Sequence, residues 1–210
     1  MLNIKQKIKS ILSVTVAVIV TGLLISAGEE YKPLAIGQKA PKSDVKMADI
    51  SEKKLSLNDI KLENGLLVIF SCNTCPFVIA WEDRYPALGD LCKKNKIGMV
   101  LLNSNEARRK GDDAVDKMKS HAAEKNYNCY YVVDENSELA NAFGAKTTPH
   151  VFLFDKNMQL IYRGAIDDSE GRETAPKELY LKNAIENAAG GKEIKPAETR
   201  SVGCSIKRAS

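Results

Sequence analysis

A chain of 210 residues, 44% of them apolar, can fill one hydrophobic core without disulfides and suits a single domain with extensions. Its 31 Lys and Arg exceed its 27 Asp and Glu, but setting aside Lys5, Lys7 and Lys9 leaves a balance of only +1. With 6% aromatics and with bases interleaved among acids, no nucleic-acid surface is expected.

The three lysines precede an uncharged run from Ser10 to Gly28 that closes on the small residues Ser26, Ala27 and Gly28. A basic start, an apolar middle and a small-residue end form an export signal, cleaved after Ala27 or Gly28. The alternative is an uncleaved anchor, since Ile11 to Ala27 sits at the short end of the roughly 17–25 residues that span a bilayer. Two serines and two threonines in that stretch count against the anchor, so membrane contact is expected only if the segment stays uncleaved. The organisation read from the sequence is therefore a signal or anchor over 1–28, a domain over 29–191, and a tail over 192–210.

Ile36 to Pro41 has the Gly and Pro of an extended entry loop. Leu55 to Ile60 reads as a short strand or turn, followed by a buried strand over 66–71. Phe77, Val78, Trp81, Tyr85, Leu88 and Leu91 then recur at helical spacing, and Pro86 should kink that helix or start a second segment. Ile97 to Leu102 is continuously apolar, as in a strand covered on both faces. Arg108-Arg109-Lys110 is answered at once by Asp112 and Asp113, which suggests a solvated turn. A polar helix near 112–126, a strand at 130–133 and a helix at 137–143 capped by Gly144 come next. Residues 151–154 and 159–163 form a hairpin, and a last helix covers about 177–189. Alternating strands and helices followed by a hairpin imply an α/β fold with a central mixed sheet and helices on both faces.

Directly after the first buried strand comes Cys72-Asn73-Thr74-Cys75-Pro76. Two cysteines three positions apart at a strand-to-helix turn can close a disulfide and reopen it. Partial positive charge at a helix N-terminus favours thiolate over thiol, which on this spacing makes Cys72 the attacking sulfur. Cys75, one turn further in, would resolve the mixed disulfide. Such dithiols span roughly −270 to −120 mV, so the motif leaves the direction of electron flow open.

Together with Ile36-Gly37, Ala40-Pro41, Asn103-Ser104-Asn105, Thr147-Thr148-Pro149, Tyr162-Arg163-Gly164 and the tail Gly203-Cys204-Ser205-Ile206-Lys207, this motif resembles the thioredoxin-fold redoxins. The resemblance, over about 35–206, is to the AhpC/TSA-related group and its peroxiredoxin-like subgroup with a CxxC. It implies a thioredoxin-like fold and a Cys72–Cys75 redox-active disulfide with no other cofactor. Its partners would be protein or small-molecule thiols and disulfides, with an external thiol reductant or oxidant. It also implies a cis bond at Thr148-Pro149 facing the cysteines, with the Thr148 backbone pairing to a bound substrate strand.

Two departures matter. Peroxiredoxins carry Thr or Ser three residues before the reactive cysteine and Pro seven before it; Cys75 has Cys72 and Val68 there, and Cys72 has Ile69 and Gly65. Peroxidase activity therefore ranks below thiol-disulfide exchange. Thioredoxins also carry a buried acid on the strand before the motif, and Gly65 to Phe70 has none; Glu63, Glu82, Lys146 or a water could substitute.

Five cysteines are an odd number. Cys92, on the apolar helix stripe, and Cys129, before a strand, read as structural thiols. Cys204 is either a third redox partner of the Cys72–Cys75 pair or a staple to Cys92 or Cys129. With one CxxC and only His121 and His150, a four-ligand zinc site is not expected, and no metal is assigned. Copper binding through the cysteines and His150, or a redox-inactive binding module of the same fold, stands as a rival. His150 itself is expected to pack near the site without catalysing.

Overall fold

The computed structural model describes residues 31–169 and 175–209, so the export segment expected over 1–28 lies outside the described residues. Among the described residues no helix is long and apolar enough to cross a membrane.

The sheet is built on β3 (Gly65–Ser71) and β4 (Ile97–Asn103), both buried along their whole length. They pair in parallel from Gly65 opposite Ile97 to Ser71 opposite Asn103. Strand β5 (Tyr130–Val133) extends this parallel set beyond β4. On the other side of β3 lie the antiparallel β7 (His150–Phe154) and β8 (Leu160–Gly164). At the far edge the short β1 (Met47–Asp49) and β2 (Lys54–Leu55) complete the order β2-β1-β5-β4-β3-β7-β8.

Alternation along β3 divides the core in two. Leu67 and Ile69 face a cluster containing Cys72, Cys75, Trp81, Tyr85, Tyr131 and Ile185. Leu66, Val68 and Phe70 face the opposite cluster, where Phe143 meets Phe152 edge-to-face at 5.3 Å and Phe154 at 5.7 Å. Helices cover both faces, giving the expected mixed α/β architecture. On the cysteine side are α2 (Pro76–Trp81), α3 (Tyr85–Lys94), α4 (Val115–Glu124) and α6 (Tyr180–Ala189). On the other are α1 (Leu57–Ile60) and α5 (Glu138–Phe143).

Pro86 lies in the first turn of α3, a second segment set off from α2 by a single 3-10 turn at Glu82–Arg84, because a proline without an N–H is tolerated there. The segment read as a strand or turn at 55–60 is mostly a helical turn. Ser56 and Asp59 form a reciprocal capping box that starts α1 there. Gly144 caps α5 in a left-handed conformation, φ 62°, and a Cβ at this position would fall 2.1 Å from the Lys32 carbonyl.

Two short elements were not legible in the pattern: β1, and a separate two-stranded ribbon of β6 (Thr147–Thr148) and β9 (Cys204–Ser205). The ribbon brings the tail to the sheet end where the cysteines lie. From Ala197 to Thr199 the tail runs along β8: Arg163 N–H donates to the Ala197 carbonyl at 3.1 Å, and Thr199 N–H to the Arg163 carbonyl at 3.0 Å. It then crosses to β6, where Thr148 pairs with Cys204 and Thr147 with Ser205.

Candidate functional site

Strand β3 ends at Ser71, and the chain turns through Cys72, Asn73 and Thr74 before α2 starts at Pro76. The helix therefore begins later than the sequence argument assumed. Cys75 is its N-cap residue, and Cys72 lies three residues outside it. The Val78 N–H faces the Cys75 sulfur without forming a cap hydrogen bond.

Thr148 meets both sulfurs. Its peptide bond to Pro149 is cis, its hydroxyl lies 3.4 Å from the Cys72 sulfur, and its carbonyl oxygen accepts from the Cys75 thiol at 3.1 Å. Cys204 arrives from the other side. Cys72, Cys75, Asn105, Arg108, Thr148 and Cys204 line one small cavity.

The two motif thiols are shifted in opposite directions. Cys75 is pulled down to about 4, first by the Cys72 thiol, then by the Cys204 thiol and by the Val78 and Cys204 N–H groups, against its own burial. Cys72 is pushed well up, first by Cys75, then by burial and by the charge of Asp113. The Thr148 carbonyl accepts from the Cys75 thiol at 3.1 Å and so works against a charge there. The helix N-terminus thus serves Cys75 more directly than Cys72, and the charge of either thiol raises the proton affinity of the other.

A buried acid does lie beneath the cysteine turn, on another segment. Asp113, fully buried, accepts from the Asn73 N–H at 3.0 Å, from the Asn103 amide at 2.7 Å and from the Asn105 amide at 3.0 Å. Asn103 also donates to the Tyr131 hydroxyl at 3.1 Å, which in turn donates to Asn73 Oδ1 at 2.9 Å. This network fixes the turn between the cysteines from below. The expected solvated turn is accordingly only half solvated: Asp112 is exposed, whereas Arg109 folds back to the Asn103 and Asp113 carbonyls at 2.7 and 2.8 Å. A usable signal was present, since Asn103-Ser104-Asn105 ends a fully apolar strand and buried amides require partners.

The other proposed acids are elsewhere. Glu63 is exposed and pairs with Lys96 at 2.7 Å. Glu82 is buried, but its carboxylate is held by His121 at 2.7 Å, Lys125 at 2.9 Å and Tyr127 at 3.1 Å.

His150 starts β7, opposite Phe70, and stacks on Phe152 at 4.5 Å, so it belongs to the core face opposite the cysteines. Burial and the charges of Arg163 and Lys146 push it down to about 3. Among the described residues no group of three or more His, Cys, Asp or Glu is arranged to hold a metal. Cys92 is buried and Cys129 half-buried, and desolvation pushes both thiols up to about 12. Cys204 stands with Cys75, not with either of them, and all five cysteines are free.

The AhpC/TSA family model matches residues 36–163, from the entry loop through the cysteine motif and Thr148 to β8. The chain belongs to the AhpC/TSA family. Among solved structures, this AhpC/TSA protein is similar to an uncharacterised conserved protein from Geobacillus kaustophilus. The two share 29% identity at a TM-score of 0.78, covering 83% of this chain and 93% of the other. A hypothetical protein from Sinorhizobium meliloti 1021 matches at 25% identity and TM-score 0.78, over 85% and 97%. The thioredoxin domain of a thiol-disulfide oxidoreductase from Bacteroides vulgatus matches at 20% identity and TM-score 0.52, over 63% and 89%, which shows the thioredoxin-like fold. No match was found among curated proteins. A redoxin with oxidoreductase chemistry is what family and fold together support.

Proposed function

We propose that this AhpC/TSA protein is an exported thiol-disulfide oxidoreductase whose redox centre is the Cys72–Cys75 pair. One observation carries the reading: both sulfurs meet the cis Thr148-Pro149 loop together, Cys72 at 3.4 Å from its hydroxyl and Cys75 at 3.1 Å from its carbonyl oxygen.

In the reducing direction the Cys75 thiolate attacks a target disulfide. A Cys75–target bond forms, the target S–S bond breaks, and one target thiolate departs with the electron pair. Cys75 no longer carries charge at that point, so the largest influence holding the proton on Cys72 is gone. Cys72 gives up its proton to the departing thiolate and attacks the Cys75 sulfur. The Cys72–Cys75 disulfide forms and the second target thiolate leaves. An external thiol reductant restores the pair, and the reverse sequence oxidises target dithiols. Partners are protein or small-molecule thiols and disulfides, outside the cytoplasm as the 1–28 segment suggests.

The Cys75 thiolate also favours a second reading, thiol peroxidase. There it would attack the peroxide O–O bond, become a sulfenic acid and release an alcohol or water. The Cys72 thiol would then condense with it, forming the disulfide and water.

Insulin-disulfide reduction and peroxide consumption, measured side by side for wild type, Cys72→Ser and Cys75→Ser with and without copper, test the assignment. Disulfide turnover lost in both variants is the expected result. Peroxide turnover surviving Cys72→Ser would favour the peroxidase. Copper uptake with no thiol turnover would favour a binding module.

A further inference from the structure

The backbone edge of Thr147–Thr148 is occupied by the chain itself. Strand β9 lies antiparallel along it, with Cys204 directly opposite Thr148. Ile206 N–H donates to the Lys146 carbonyl at 3.0 Å and continues the same alignment. Gly203 permits the approach: a Cβ there would fall 2.2 Å from the Thr148 carbonyl oxygen. The contact is built at close range, and its effect is to place the Cys204 thiol beside the Cys75 sulfur.

We propose that β9 is an internal substrate strand. It holds the edge on which an extended target would pair, and it delivers Cys204 to Cys75 as a third redox sulfur. This rests on the thiol-disulfide reading above and adds the regulation of that site. Backbone pairing supplies alignment, as in strand addition to an open sheet edge, and the cysteine opposite Thr148 supplies the reacting atom.

The chemistry needs no outside reagent. In the oxidised protein the Cys204 thiolate attacks the Cys75 sulfur of the Cys72–Cys75 disulfide. A Cys75–Cys204 bond forms, the Cys72–Cys75 bond breaks, the electron pair leaves on Cys72, and the proton lost by Cys204 ends there. The number of disulfides is unchanged. Oxidation is passed from a pair inside the turn to a pair that ties β9 to α2, closing the edge covalently. Reduction of the Cys75–Cys204 bond by an external thiol frees β9 and opens the edge to a target.

The test is disulfide mapping by alkylation, proteolysis and mass spectrometry of the full purified chain, oxidised with oxidised glutathione. Cys72→Ser should yield a peptide linking Cys75 to Cys204, and wild type should yield this peptide together with the Cys72–Cys75 one. Cys204→Ser should yield only the latter. In Gly203→Ala the added methyl lifts β9, so the Cys75–Cys204 peptide should be lost, the Cys72–Cys75 peptide retained, and insulin turnover raised. A Cys204 linked to Cys92 or Cys129, or a Cys72→Ser protein in which Cys75 is only glutathionylated, would overturn the proposal. So would a Gly203→Ala protein that keeps the linked peptide. The mapping reads the bond whether or not insulin is reduced, so failure of the relay and failure of the oxidoreductase reading give different results.

Discussion

The carbonyl oxygen of Thr148 stands 3.1 Å from the sulfur of Cys75, while the hydroxyl of the same residue stands 3.4 Å from Cys72. One side chain and its own backbone thus address the two thiols separately. The hydroxyl lowers the proton affinity of Cys72 against the larger influences that raise it. Thr148→Val keeps the carbonyl and the shape but removes that donor. Cys72 should then alkylate more slowly at alkaline pH while Cys75 keeps its rate, as read by mass mapping of each site. Equal slowing at both sites would show that the hydroxyl does not act on Cys72.

The charge on Cys75 should be visible directly. Its folded pKa, about 4, lies below the ordinary 9.0, so its contribution to stability is present above pH 9 and is lost as pH falls toward 4. The raised Cys72 acts in the opposite sense, contributing below pH 9 and losing that contribution above it. Ultraviolet thiolate absorbance of the reduced protein should therefore persist through neutral pH and vanish in Cys75→Ser. The urea midpoint of reduced wild type should also climb more steeply than that of Cys75→Ser between pH 4 and 9. Absorbance unchanged by Cys75→Ser would place the thiolate elsewhere.

Asp113 receives three N–H donors in a fully buried position. Asp113→Asn replaces one acceptor oxygen with an NH2 donor facing those donors and leaves at least one of them unpaired, at a cost of about 1–3 kcal/mol. Removing the negative charge also removes one of the influences that raise Cys72. Denaturant unfolding should show the loss of stability, and Cys72 should alkylate at lower pH than in wild type. A stable variant with unchanged Cys72 reactivity would mean that Asp113 neither supports the turn nor acts on the thiol.

His150 offers a test on the opposite face of the sheet. Held neutral by burial, with its pKa at about 3 against the ordinary 6.5, it contributes stability above pH 6.5 that is lost as pH falls toward 3. His150→Phe keeps a ring against Phe152 and cannot be protonated. The acid limb of the stability curve should flatten between those values. An acid limb identical to wild type would show that His150 does not titrate with unfolding.

The order of strands and helices was legible because each core strand is a continuous apolar run and each helix carries one apolar stripe. Leu66 to Phe70 and Ile97 to Leu102 could scarcely be anything else. The three-residue β1 and the two-residue β6 and β9 left no period to read, since their pairing depends on tertiary contact alone. The cysteines and the Thr148 loop were visible as a motif. Which sulfur bears the charge was not, because it depends on where α2 begins and on the tail brought back from residue 204. Asp113 was hidden for a related reason: in sequence it sits in a run of charges, and only the fold turns it inward beneath Asn73.

The tail is gripped on both sides of the cysteine. Before it, the Thr199 hydroxyl accepts from the Ala165 N–H at 2.9 Å and meets the Tyr162 hydroxyl at 2.8 Å. After it, the Lys207 N–H donates to Asn105 Oδ1 at 2.8 Å, and Arg208 reaches Asn141 and the Ala145 carbonyl, each at 2.7 Å. Strand β9 is therefore a span between two moorings and cannot peel away from one end as a loose terminus would. It can leave Thr148 only by bowing outward between Thr199 and Lys207, which keeps Cys204 within a short tether of the partner it has just released.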